Sequence, residues 1–452
     1  MSQSPKLMQP TKYDFWFLPL GGTGEIGMNM NLYGHDSQWL MVDCGMGFEH
    51  TETRERRVCV DPSFIEAQRE NLQAIVITHA HEDHIGALLS LWPRLQAPIY
   101  ATSFAAAVIL NKLSQVTWGH RVPVIEVKMQ NPMFMGEFEV TWLPMPHSIP
   151  EATSVLIETP AGKVLHTGDW KMDHNPVVGA AFDSEVYQHL KSFHIDAMVC
   201  DATNAIKPGK TLSESACYQG LYQTISAAKN RVVVSCFSSN IARLLTLARI
   251  AKKTGRQMAV FGRSMENMVS IARRLGYWPR ELELIDPKHI GYLPPEEVLV
   301  VATGSQAEPR AALTKMAQGR HYWLYLEPED TVIFSAMKIP PNKTKIDQLI
   351  KKLRALDLTV IHADEVKDKV LLHASGHPSE DDVKQLLEWV QPKTLIPTHG
   401  EPEHLKALAK LAKKTDIQEV CEGRNGDLFK VSPFVKVERN TVPIEIIEVL
   451  ES

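Results

Sequence analysis

The stretch Thr78-His79-Ala80-His81-Glu82-Asp83-His84-Ile85-Gly86 follows directly on the apolar run Leu72-Gln73-Ala74-Ile75-Val76-Ile77. The apolar run predicts a buried β-strand, and Gly86-Ala87-Leu88-Leu89-Ser90-Leu91 beyond it predicts a helix. Three imidazoles and two carboxylates therefore fall on the turn at the strand's C-terminal end. In extended backbone His79 and His81 point to one face, while Asp83 and His84 enter the turn and swing toward a different point in space. Neutral imidazole and carboxylate suit Zn²⁺ and its first-row neighbours, and ligands spread over one turn can serve two ions. The bland alternative is a solvated loop with incidental histidines. Five ionisable groups so close together repel or neutralise one another unless a cation joins them, which weighs against it.

Outward from this turn, the first two hundred residues alternate short apolar strands with helical segments. Strands are expected at Phe15–Leu20, Trp39–Val42, Ala74–Ile77, Pro98–Tyr100, Phe138–Leu143, Ser154–Glu158, Lys163–Thr167 and Ala197–Cys200. From about residue 209 the pattern becomes regular strand–helix alternation, the mark of parallel βαβ units. A helix over Ser213–Ala228, opened by a capping box at Thr211 and Glu214, precedes strands at Arg231–Ser235, Met258–Phe261, Val298–Ala302 and Thr331–Ser335. Histidine-rich segments return near Leu371. The expected organisation is a metal-binding α/β domain over residues 1–208 and 351–452, interrupted at 209–350 by a parallel module.

Composition sets the remaining bounds. The chain has 452 residues, 44% apolar and 22% charged, as in ordinary globular proteins large enough for more than one domain. No apolar run approaches the roughly 20 residues that span a bilayer, and Met1–Tyr13 is polar, without a signal-peptide core. The six cysteines have no C-x-x-C pair and no regular spacing, so reduced thiols in a cytoplasmic protein are expected. The net charge of −5 gives no global field for nucleic acid, so a polyanion site must be a local basic groove helped by metal ions.

Three further strand ends offer ligands: His147 in Met145-Pro146-His147-Ser148, Asp169 in His166-Thr167-Gly168-Asp169, and His399 in Pro397-Thr398-His399-Gly400. Each alone reads as a hydrogen-bonded loop residue. With the opening cluster they complete two coordination sets, His79, His81 and His147 for one ion and Asp83, His84 and His399 for the other. Asp169 would bridge them, and water activated near neutral pH is the chemistry such ions supply. Gly21-Gly22-Thr23-Gly24-Glu25-Ile26-Gly27 imitates a dinucleotide fingerprint, but no long helix or strand-end acid completes a Rossmann unit.

His-x-His-x-Asp-His with later His, Asp and His resembles the ligand pattern of the metallo-β-lactamase superfamily. The wider series resembles the ribonuclease J family of its β-CASP branch. That series includes Leu20–Asn29, Val42-Asp43-Cys44-Gly45, Asp201-Ala202-Thr203-Asn204, Ser238-Ser239-Asn240-Ile241, Gly262-Arg263-Ser264-Met265, Thr303-Gly304-Ser305-Gln306, His373-Ala374-Ser375-Gly376-His377 and Pro397-x-His399-Gly400-Glu401. The resemblance implies an αββα metallo-β-lactamase sandwich with an inserted β-CASP domain built on a parallel α/β sheet. It implies two divalent ions per chain, Zn²⁺ or Mn²⁺, and hydrolysis of single-stranded RNA carrying a 5′-monophosphate, by 5′-to-3′ exonuclease and endonuclease action.

The same resemblance makes Asp83, His377 and Asp201 the candidate catalytic residues. His377 would protonate the leaving 3′-oxygen, and Asp201 would orient a histidine or the nucleophile. His373, Ala374, Ser375, Gly376 and His377 would surround phosphate, and Ser238 and Ser239 would help recognise the RNA 5′ end. Serines before a helix are also common N-caps. Lys207, Lys210, Arg243 and Arg263 are candidates for backbone contacts. Commoner bacterial members carry a small further domain after a motif resembling Arg424-Asn425-Gly426-Asp427, so a short form is expected here. The resemblance allows a homodimer or a larger homo-oligomer. The alternatives are a DNA nuclease of the same branch and a non-catalytic RNA-binding scaffold, the second weakened by the presence of all seven ligands.

Overall fold

The computed structural model describes residues 8–50 and 55–449; residues 1–7 of the polar N-terminal stretch lie outside them. The chain divides into two compact units. One comprises Met1–Met172, Phe182–Thr211 and Gly376–Ser452; the other comprises Asp173–Ala181 and Leu212–Ser375.

Among the described residues of the first unit, one sheet runs in the order Lys436–Glu438, Leu428–Ser432, Phe15–Gly21, Met30–His35, Gln38–Val42, Leu72–Val76, Ile99–Ala101, Val124–Glu126. A second runs Glu419–Val420, Thr394–Thr398, Ala197–Asp201, Gly162–His166, Thr153–Thr159, Phe138–Pro144, Met133–Met135. Their facing sides share a core: Phe15, Phe17, Tyr33, Leu40 and Val76 from the first meet Phe138, Trp142, Val155, Val199 and Ile396 from the second. The second sheet's other face is covered by helices Ser184–His189, Glu380–Val390 and Pro402–Ala412, through Tyr187, Leu386, Leu387 and Leu408. Helix Ser103–Leu113 packs on the first sheet at Ile99–Ala101 and Val124–Glu126. The result is an αββα sandwich. Its inner strands are hydrophobic on both faces because both faces are buried.

The neighbouring strands Gly162–His166, Ala197–Asp201 and Thr394–Thr398 are parallel, in a register that sets His166 beside Val199 and Asp201 beside Thr398. Their C-terminal ends therefore emerge at one edge. The hairpin closed by Pro144 and Thr153 turns at the same end, since Val155 pairs with His166. This places the segments carrying Asp169, Asp201, His399 and His147 together.

The second unit holds a fully parallel sheet, Gln257–Phe261, Val298–Ala302, Val232–Ser235, Thr331–Phe334, Thr359–His362. Helices Ala312–Ala317 and Lys343–Arg354 cover one face through Leu313, Met316, Ile346 and Ile350. Where the strand pattern closes the insert at 350, this unit runs on to Ser375, because Thr359–His362 pairs with Thr331–Phe334 as its edge strand. The expected capping box also differs. The helical segment starts as a 3-10 turn at Glu214–Ala216 capped by Ser213, and continues as helix Cys217–Ala227. Glu214 does not reach back to Thr211 but pairs with Arg243. No helix among the described residues is long and apolar enough to cross a membrane.

Candidate metal centre

Leu72–Val76 delivers the chain to the histidine cluster, and Asp83 and His84 sit in the short helix Glu82–Ile85. His81 Nδ1 lies 3.1 Å from both His79 Nε2 and His147 Nε2. Asp169 Oδ2 lies 3.8 Å from His79 Nε2, 3.8 Å from His147 Nε2 and 3.3 Å from His84 Nε2. Asp83 Oδ2 is 3.5 Å from His84 Nε2 and 3.3 Å from His399 Nε2. Two of the groups able to hold an ion match the expected sets, His79/His81/His147/Asp169 and Asp83/His84/His399/Asp169, with Asp169 common to both; a third, Asp169/Asp201/His377/His399, overlaps the second.

The surrounding bonds fix which nitrogen each ring presents. The Thr78 hydroxyl has one proton and donates it to Asp43 Oδ2 at 2.8 Å, so it accepts from His79 Nδ1 at 3.0 Å. His84 Nδ1 donates to Asp43 Oδ2 at 2.7 Å, and His147 Nδ1 to the Gly376 carbonyl at 2.7 Å. The Thr203 hydroxyl donates to the His399 carbonyl at 2.8 Å and so accepts from His399 Nδ1 at 3.0 Å. Four rings therefore turn Nε2 inward, while His81 turns Nδ1. Ligating histidines are oriented in just this way by outer partners. A Cβ on Gly376 would come 2.7 Å from His147 Cε1; only glycine lets that carbonyl approach so closely.

Nitrogens about 2.0–2.1 Å from one tetrahedral zinc stand about 3.3 Å apart, close to the spacing around His81. Asp169 Oδ1 is buried without a hydrogen-bond partner, 3.2 Å from His399 Nδ1, an arrangement that costs free energy unless positive charge faces the lone pair. The residues fit divalent ions.

Charge is distributed unevenly over the two groups. Burial pushes His79 and His147 down and His81 down to about 4, keeping those rings neutral and ready to ligate. Burial opposes charge on His84 too, but Asp169, Asp83 and Asp43 outweigh it and raise its pKa. His399 is pushed up to about 10 against its burial, chiefly by Asp169. Asp43 at φ 64 and His399 at φ 49 both hold left-handed backbone, uncommon outside glycine although Asp and His adopt it more readily than most residues.

Beside this centre, Asp201 Oδ2 accepts from His377 Nδ1 at 2.8 Å, while its Oδ1 takes the Thr203 amide at 2.8 Å. Asp201 thus fixes the His377 ring through Nδ1. Gly376 and His377 belong to the first unit; Ser238, Ser239, His373, Ala374 and Ser375 belong to the second. Within the second unit the helix Ile241–Thr254 is capped by Asn240, whose Oδ1 accepts from Arg243 N at 2.9 Å. Ser238 and Ser239 precede that cap rather than forming it. Arg243 is fully buried, which removes it from the expected polyanion contacts. It bonds Glu214, Ser335 and the Leu372 carbonyl, anchoring the segment that leads to His373. Arg263 is exposed. The sequence assigns no role to Asp43, Asn29, Thr78 or Thr203; an aspartate ending a strand before Cys44-Gly45 is the one visible signal.

The family descriptions "Metallo-beta-lactamase superfamily", "Ribonuclease J, beta-CASP domain" and "Zn-dependent metallo-hydrolase RNA specificity domain" match residues 24–188, 229–353 and 348–420. Fold and sequence together define a metallo-β-lactamase-fold protein with a β-CASP insertion. Over 422 residues the chain is 39% identical to ribonuclease J of Sinorhizobium meliloti, covering 92% of this chain and 74% of that protein. It is 36% identical over 418 residues to ribonuclease J 1 of Streptococcus pyogenes, covering 91% and 74%. The chain belongs to the ribonuclease J family. A crystal structure of a protein of unknown function from Enterococcus faecalis V583 shares the fold, with TM-score 0.64 and 17% identity over 92% of this chain and 100% of that one.

Proposed function

We propose that this chain is a metal-dependent ribonuclease. It hydrolyses single-stranded RNA from a 5′-monophosphate in the 5′-to-3′ direction and also cuts internally, in the cytoplasm. The observation that carries the reading is the pair of ligand groups sharing Asp169, each histidine turning a ring nitrogen into its group. Membership in the ribonuclease J family supports RNA as the substrate.

Two divalent ions, Zn²⁺ or Mn²⁺, supply Lewis acidity and bring the pKa of water to near 7. His79, His81, His147, Asp83, His84, His399 and Asp169 hold them in place. Asp43, Thr78, Gly376 and Thr203 keep the rings in the ligating tautomer. His377, fixed by Asp201, is the acid that protonates the departing 3′-oxygen. Ser238, Ser239 and His373–Ser375 are the proposed phosphate contacts, and self-association into a homodimer or larger assembly is part of the same reading.

The test is digestion of RNA labelled at its 5′ end, as monophosphate and as triphosphate. Mononucleotide release that depends on the monophosphate is the expected result, and His81→Ala abolishes it while leaving the fold intact. Full activity in His81→Ala would overturn the metal reading. Equal or faster digestion of a matched DNA strand would move the substrate to DNA.

A further inference from the structure

The glycine-rich segment that imitates a dinucleotide loop touches the metal centre at two places, both on the same ligand group. At one end the His399 amide donates to the Gly22 carbonyl at 2.6 Å, and the Thr23 and Thr398 hydroxyls meet at 2.8 Å. At the other end the Asn29 amide and its side-chain Nδ2 both donate to the Asp83 carbonyl, at 3.0 and 3.1 Å. Asn29 Nδ2 also lies 3.1 Å from His84 Nε2. The rings of His79, His81 and His147 take their bonds from elsewhere, from Thr78, Ser148 and Gly376. Gly22, at φ +90, lets the two ends fold together, since a Cβ there would fall 2.2 Å from Asn29 Oδ1.

The loop is held by a residue four hundred positions away. Asn425 Oδ1 accepts from the Thr23 amide at 2.8 Å, and Asn425 Nδ2 donates to Glu25 Oε1 at 2.7 Å. Glu25 Oε1 also accepts from the Gly22 amide at 3.3 Å, and the Asn425 amide returns to the Thr23 carbonyl at 3.0 Å. Both donors and both acceptors of this lock are thereby used on the loop's first turn, one residue from the carbonyl that takes His399.

We propose that Gly21–Asn29 is a clip that positions Asp83, His84 and His399 and leaves the His79/His81/His147 group untouched, with Asn425 and Glu25 as its lock. Asn425 and Glu25 are then positioning residues for one of the two ions. The proposal rests on the two-ion reading of the centre. Outer partners of this kind change metal affinity by about 10- to 100-fold when removed.

Metal-free protein titrated with Zn²⁺, followed by bound metal per chain, tests it. The unaltered protein takes up two ions. Asn425→Ala and Glu25→Ala keep one of them at full affinity and bind the other about 10- to 100-fold more weakly. Glu25→Gln binds both as the unaltered protein does, because its amide oxygen accepts the same two hydrogen bonds. Retention of the first ion reports that the fold has survived. Should Asn425→Ala fail to fold, Glu25→Ala against Glu25→Gln carries the test. Two ions bound at undiminished affinity in both alanine variants, or equal weakening of the two, would overturn the clip. Fewer than two ions in the unaltered protein would instead overturn the two-ion reading itself.

Discussion

Two clusters of buried charge in this chain are built on opposite terms. In the parallel unit, Arg243 is fully buried and spends its donors on Glu214, Ser335, the Leu372 carbonyl and Cys217. In the sandwich unit, Asp169 is also buried, yet its Oδ1 has no hydrogen-bond partner and the nitrogens of His79, His81 and His147 face one another beside it. The first cluster is closed by its own cation and is structure. The second gathers histidine nitrogens and carboxylate oxygens around shared points and is the candidate ion site. Burial alone does not separate function from packing; unspent lone pairs do.

The contrast can be broken most severely at Asp169. Asp169→Ala removes the ligand common to both groups, and a bound ion contributes several kcal/mol to transition-state stabilisation. RNA cleavage should fall on the order of a thousandfold or more, with metal content collapsing toward zero. Normal metal content in that variant would mean the lone pairs are filled otherwise. His377→Ala should cost about 10²–10⁴ in kcat, the range for a general acid, while both ions stay bound; a parallel loss of metal would make His377 a ligand instead.

At the closed cluster the expected loss is in stability. Arg243→Ala leaves Glu214 buried without a partner and should cost about 3–5 kcal/mol, read from urea unfolding of that unit. Arg243→Met combined with Glu214→Leu removes both charges and should recover most of it. Recovery that failed would show the pair doing more than neutralising itself. The smallest effect sharpens the distinction: each ion site held by Zn²⁺ at 100 times its Kd should add about 2.7 kcal/mol to the unaltered protein. The same increment is expected in the double variant and none in Asp169→Ala, measured as the shift in unfolding midpoint.

Much of this was legible in the chain. Leu72–Val76 declared itself by its apolar run, and the His79–His84 turn declared its chemistry by composition, because both signals are local. His147, Asp169 and His399 could be nominated because each ends a strand. Arg243 was misjudged, since an arginine near a helix start looks like surface until Glu214, twenty-nine positions earlier, is seen to pair with it. The insert's edge strand Thr359–His362 was missed because its pairing with Thr331–Phe334 has no mark in its own residues. Asp43 lay in a quoted motif without a role, since its partner His84 sits forty-one positions on.

By itself the sequence determined many of the strands and helices, the donor types and the turn where an ion could be held, all of which follow from neighbours along the chain. Only the tertiary structure decided that Asp169 faces both ligand groups, which nitrogen each ring presents, and that Asn425 and Glu25 lock the loop across His399. Those outcomes depend on parallel strands bringing their ends to one edge, and hydrogen bonds a few ångströms long carry no trace in residues hundreds of positions apart.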